Sequence, residues 1–347
     1  MSARCPALPP DLEAALVELG GKLARGEKLT GELDKALDLL GGMPPATVAQ
    51  ADAAIATAAQ LFHRRPMSSP AGLRFSLSTN STDAELLLRV PKLEHLFIFH
   101  RDGRLREAAL LKVTGGLPTP FLFAAVAWRL NDWAAPVRAA AVRCARRSFP
   151  VTNAEVVACA ATALLIRQSS WGRWGNEREL VDEAFSRADV AGRLAELLIA
   201  SPTGPMATTL RYALRTPSID MYLEHIVGNA LQPSVRAVAL DALINQRAEW
   251  PSGYEWQWVD KSMGLRRRAT VFGRRDLRVF TPMKFLIELG IKDRSPYVRR
   301  VALDGVMRHL LGTPEGLAFA APLATDRSPS VRERAEFILR RKEHSPS

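Results

Sequence analysis

The stretch DRSPYVRRVALDGV, residues 293–306, and its near copy DRSPSVRERAEFIL, residues 326–339, decide the reading of this chain. In each, an Asp in a turn is followed by a capping Ser and by a Pro at the first helical position, where its missing amide costs nothing. An apolar residue and an Arg come next, Val298-Arg299 and Val331-Arg332, and an Ala stands three positions after the Arg, Ala302 and Ala335. The apolar residue and the Ala share one helical face, and the small side chain lets a neighbouring helix approach closely.

The same apolar-Arg-x-x-Ala pattern stands at Leu105-Arg106 with Ala109, Val137-Arg138 with Ala141, Val235-Arg236 with Ala239, and Leu265-Arg266 with Ala269. The copies thus begin at Leu105, Val137, Val235, Leu265, Val298 and Val331, evenly spaced except that the gap from Val137 to Val235 is close to three periods. A constant period of this size predicts a helical repeat array, with two degenerate copies between Val137 and Val235. Apolar segments that follow the copies predict second helices over 121–130, 154–167, 190–200, 219–229, 283–291 and 316–324. Before the array, helical periodicity runs over 11–23, 30–40 and 47–63, broken at Gly20-Gly21 and Gly41-Gly42. Residues 66–82, rich in Ser, Pro and Thr, read as a linker, and the alternation over 73–77 is too short to change the class.

With Asp132, Asp260, Asp293 and Asp326 each five residues ahead of the apolar start, the unit resembles the HEAT repeat, D-x-x-P-x-V-R-x-x-A followed by an apolar helix. The resemblance covers about two thirds of the chain and implies an all-α fold, an α-solenoid of HEAT-like repeats over 83–347. An acidic, irregular helical cap is expected over 1–65. It also implies that Asp132, Arg138, Arg236, Asp260, Arg266, Asp293, Arg299, Asp326 and Arg332 form a structural ladder along the turns.

The 347 residues carry a net charge of +11 with a pI near 10.0, which favours acidic partners. Positions 1–60 hold five Lys or Arg against eight Asp or Glu, so the basic excess lies beyond them. Asp11 and Glu13 near the N-terminus do not suit a secretory signal, and no apolar run is long enough to span a bilayer; a cytoplasmic protein without a membrane partner is expected. Cys5, Cys144 and Cys159 have no CxxC spacing and are expected to be reduced.

The most distinctive surface stretch is 250–278, with Trp250, Tyr254, Trp256 and Trp258 followed by Lys261, Arg266, Arg267, Arg268, Arg274, Arg275 and Arg278. Rings beside clustered guanidinium groups suit stacking on bases or gripping phosphates, although Trp256 and Trp258 could equally seal a ridge between repeats. Trp171 and Trp174, in the loop Trp171-Gly-Arg-Trp174-Gly175, form a second candidate anchor, with covering a gap between diverging repeats as its structural alternative. The expected partner-binding residues are therefore Trp256, Trp258, Lys261, Arg267, Arg268, Arg274, Arg275, Arg278, Trp171 and Trp174. A weaker basic strip is Arg143, Arg146 and Arg147.

No catalytic residue, cofactor or metal is expected. None of the six histidines is followed by Glu, and His95 and His100, five apart, face different sides of a helix. The first expectation for function is a non-catalytic scaffold that binds an acidic protein on a solenoid face. The alternative is a nucleic-acid-binding solenoid, which on fold alone is similar to HEAT-like DNA glycosylases for alkylated bases.

Overall fold

The computed structural model describes residues 7–62, 83–167, 171–173 and 175–341; the expected linker over 66–82 and the alternation over 73–77 lie outside them. Most of the described chain is helical, and its one sheet has two strands. Contacts divide it into two compact units, residues 1–184 and 185–347. No helix among the described residues is long and apolar enough to cross a membrane.

In the first unit, α1 (Pro10–Arg25) buries Leu12, Leu16, Leu19 and Leu23 along one stripe and closes on Gly26 in the left-handed region at φ 65°. Gly20 does not break this helix. A Cβ there would stand 2.6 Å from the backbone carbonyl of Ala59, so glycine permits a close approach by the chain that follows α3. Then come α2 (Glu32–Gly41), α3 (Val48–Ala58), α4 (Asp83–Arg89), α5 (Leu93–Phe97), α6 (Gly103–Lys112), α7 (Pro120–Arg129), α8 (Ala135–Ser148) and α9 (Ala154–Arg167). Between Phe121 and Ala127 every side chain of α7 is buried, as in a helix surrounded by protein. Phe121 stacks on Phe99, and Phe123 on Phe149. Next, α10 (Glu177–Ser186) spans the division between the units.

The second unit holds α11 (Ala188–Ala200), α12 (Met206–Ala213), α13 (Leu223–Asn229) and α14 (Pro233–Ile244). Two antiparallel strands follow, β1 (Arg247–Asp260) and β2 (Leu265–Asp276), and the chain returns to helix in α15 (Met283–Ile291), α16 (Pro296–His309), α17 (Pro314–Ala320) and α18 (Pro329–Arg340).

The Arg of the repeating pattern makes the same forked contact in three places. Arg106 donates Nε and Nη2 to the two carboxylate oxygens of Asp132, both at 3.0 Å. Arg236 does so to Asp293 at 2.8 and 2.9 Å, and Arg299 to Asp326 at 2.8 and 2.9 Å. In each case Nη1 reaches back to the carbonyl six residues earlier, as it also does in Arg138 and Arg332. Each Asp also accepts the amide two residues ahead, on Ala134, Ser295 or Ser328, and so fixes the turn before its helix.

The copy at Leu265 breaks the expected series. Leu265, Arg266 and Ala269 lie in β2, and Asp260 closes the hairpin turn by accepting from the Ser262 amide and hydroxyl and the Met263 amide. Asp260 and Arg266 are therefore not members of the Arg–Asp series. The partners Arg236 and Asp293 are 57 residues apart, against 27 for Arg299 and Asp326. The hairpin from Arg247 to Asp276 matches that excess in length. It is an insertion between helices that pair across it, as α14 packs directly on α16: a Cβ on Gly305 of α16 would meet Ile244 of α14 at 2.8 Å.

Candidate nucleic-acid interface

Strand alternation makes the hairpin two-faced. Trp256 stands opposite Arg268, Trp258 opposite Arg266 and Tyr254 opposite Thr270, so three rings and two guanidinium groups share one face. That face carries no carboxylate between Tyr254 and Trp258 or between Arg266 and Thr270. The other face pairs Glu255 with Ala269 and Gln257 with Arg267. One-residue bulges fall at Ser252 and Val259.

On the aromatic face the Arg266 guanidinium lies 3.7 Å from the Trp258 ring centroid, and that of Arg268 lies 3.9 Å from Tyr254. Stacking in this way covers one ring face with the cation but leaves the N–H edge of the guanidinium open for anions. Trp256, 68% exposed, sits between the two stacks, and no cation covers it among the described contacts. The result is a row of ring, cation and open ring on a strand that both faces leave in solvent.

The hairpin is fastened at its base. Arg275 donates to both carboxylate oxygens of buried Asp220 at 2.8 and 2.6 Å, and to the carbonyls of Leu214 and Thr216, both at 2.8 Å. Asp220 also accepts the Arg278 amide at 2.9 Å. Beside this anchor Arg274 pairs with Glu249 at 3.1 Å, and the Trp250 ring covers Gly273, where a Cβ would fall 2.5 Å from it.

The expected binding residues therefore separate. Trp256, Trp258 and Arg268 come together on one face; Arg267 lies on the other, with Lys261 exposed in the turn. Arg275 holds the base, and the exposed side chains of Arg274 and Arg278 are near it, away from the row. Tyr254 and Arg266 join the row although the repeat pattern gives Arg266 a ladder role. The strict alternation Tyr254-Glu-Trp256-Gln-Trp258 is the available signal for a strand.

Trp171 stands elsewhere. It is only 8% exposed and meets Trp128 edge-on, with centroids 5.2 Å apart, on the wall of an open cleft of about 460 Å³ in the first unit. Asn131 accepts the Arg173 amide at 2.8 Å and ties this loop to the end of α7. Trp171 thus covers a helix junction rather than standing out as an anchor; Trp174 lies outside the described residues. Arg147, from the weaker strip, caps α6 by donating to the carbonyls of Leu110, Leu111 and Val113. No family model matches the chain, and no curated protein matches it.

Proposed function

We propose that this chain is a nucleic-acid-binding protein whose hairpin grips a single strand, with Trp256, Trp258 and Tyr254 stacking on bases and Arg266 and Arg268 on the adjacent phosphates. The observation that carries the reading is the open Trp256 ring between two Arg–aromatic stacks on a stretch of face, Tyr254 to Trp258 and Arg266 to Thr270, without carboxylates. Base–aromatic stacking contributes about 1–3 kcal/mol per base and accepts any sequence. The helical pairs that hold the hairpin are, in this reading, HEAT-type repeats of an α-solenoid. Three Arg–Asp forks with the same atoms and the same amide two residues on support that assignment.

The scaffold reading, with an acidic protein as partner, uses the same cations but leaves the rings without work. Carboxylates gain from guanidinium groups and little from indoles, whereas bases gain from both. Binding of a fluorescent thymidine oligomer across a salt series separates the two. Tight binding with quenched tryptophan emission is expected. The Arg266→Ala/Arg268→Ala double variant should make the dependence of log K on log salt shallower by about 1.4, at about 0.7 per lost phosphate contact. Polyglutamate that binds as tightly as the oligomer, with no quenching by either, would overturn the nucleic-acid reading.

A further inference from the structure

We propose that the hairpin turn is a pin that parts paired strands at a single-strand–duplex junction. The proposal rests on the single-strand reading above and adds a second element to it. Beyond the aromatic row, the end of the ribbon carries Val259, Met263 and Leu265, all exposed, with Met263 at 72%. Three large apolar side chains at the far end of a ribbon thus keep more than half of their surface in solvent. Apolar wedges of this kind enter between base steps in proteins that unstack nucleic acid.

A wedge must also be stiff, and this one is braced at both ends. In the turn, the Asp260 carboxylate accepts the Ser262 amide at 2.8 Å, its hydroxyl at 2.6 Å and the Met263 amide at 3.1 Å. Gly264 takes a φ of +67°, open to glycine and strained for other residues, which turns the chain into β2. At the base, Arg275 and Asp220 hold the ribbon to the helices. The bulge at Val259 takes that side chain out of the regular alternation.

The order of groups along the ribbon then matches the order of events at a junction. Apolar atoms meet the last base pair, Lys261 lies at the turn for a backbone phosphate, and Trp258 and Trp256 receive the bases of the freed strand. Opening one base-pair step costs about tenfold in an equilibrium constant. One base stacked on an indole gains about five- to 150-fold, so binding alone can hold a terminal pair apart.

A DNA fork with 2-aminopurine at its first paired position tests this with the full chain. The expected result is a several-fold rise in fluorescence on binding, and no rise when the probe lies deep within the duplex. The Val259→Ser/Met263→Ser/Leu265→Ser variant should bind a thymidine oligomer with unchanged affinity and lose the rise. A rise that survives in this variant, or wild-type protein that binds the fork with no rise, would overturn the pin while leaving single-strand binding intact. Failure of the wild type to bind the oligomer by anisotropy is a separate readout and removes both readings. Tip-dependent binding to phosphatidylserine vesicles without affinity for the fork would assign the apolar tip to a lipid surface and also overturn the proposal.

Discussion

Arg236 and Arg266 stand at the same place in the same local pattern and have opposite surroundings. Arg236, in α14, is 3% exposed and directs its donors to Asp293 and to the carbonyls of Ala230 and Leu231. Arg266, in β2, is exposed and lies flat on Trp258. The residues that follow explain the difference. After Arg236 the chain continues Ala-Val-Ala-Leu-Asp-Ala-Leu-Ile, mostly the good helix formers Ala and Leu, and it is buried nearly all round. After Arg266 come Arg267 and Arg268. On a helix three successive charges would sweep about 200° of its circumference and bring one of them against the core. Thr270, Val271 and Phe272 then favour a strand.

The largest effect expected from this contrast is on folding. Arg236→Ala removes a buried guanidinium and leaves the half-buried Asp293 without its partner, which should destabilise the second unit by about 3 kcal/mol, the low end for a buried pair. Arg266→Ala should change stability by no more than about 0.5 kcal/mol, as an exposed site does. Urea denaturation of the two variants measures both. Equal losses would mean that the hairpin is packed into the fold rather than set upon it.

The helices are legible because their pattern reports burial directly. The segments 154–167 and 283–291 coincide with α9 and α15, since their stripes and flanking caps have one structural solution. The hairpin is hidden by a coincidence of length. An insertion as long as the expected period places Leu265-Arg266 and Ala269 where a repeat is due. Asp260 strengthens the disguise, because an Asp that accepts an amide two residues on serves a helix start and a hairpin turn equally well. The stretch 250–278 reads as a binding candidate from composition, but composition cannot say which arginines face the rings. That division depends on register: Arg268 meets the aromatic face and Arg267 the other because their strand positions differ by one. Arg275 is engaged by Asp220, 55 residues away in sequence, a partner that no local reading supplies.

A smaller effect comes from the Ala of the same pattern. Ala302 in α16 is fully buried, and a Cβ on Gly290 would already crowd it at 2.8 Å. Ala302→Leu should therefore cost about 1–3 kcal/mol through overpacking. Ala269, half-exposed in β2 opposite Glu255, has room, and Ala269→Leu should stay within about 0.5 kcal/mol. Thermal midpoints that fall for the first variant and hold for the second would sharpen the distinction; a fall in both would place the hairpin face against protein.

The smallest effect separates the two aspartates by pH. The Arg299 fork, joined by the Ser328 amide, holds the Asp326 carboxyl below the ordinary range. The Ser262 hydroxyl, with the Met263 and Ser262 amides, does the same for Asp260. Both groups have a folded pKa below the unfolded one, so what each contributes is complete above about pH 4 and is lost as pH falls through the folded value. The two differ in what that loss undoes. Asp326 joins α16 to the turn before α18, so its protonation weakens helix packing; Asp260 closes a turn that can open while every helix stays in place. Asp326→Asn should start with lower stability and show a flatter decline in helical ellipticity below about pH 4. Asp260→Asn should leave that decline unchanged and instead speed hydrogen exchange at Ser262 and Met263, whose amides the carboxylate now holds. If Asp260→Asn flattened the helical decline as Asp326→Asn does, the hairpin would have to unfold together with the helices. The ribbon would then be part of their cooperative unit rather than an element carried by it.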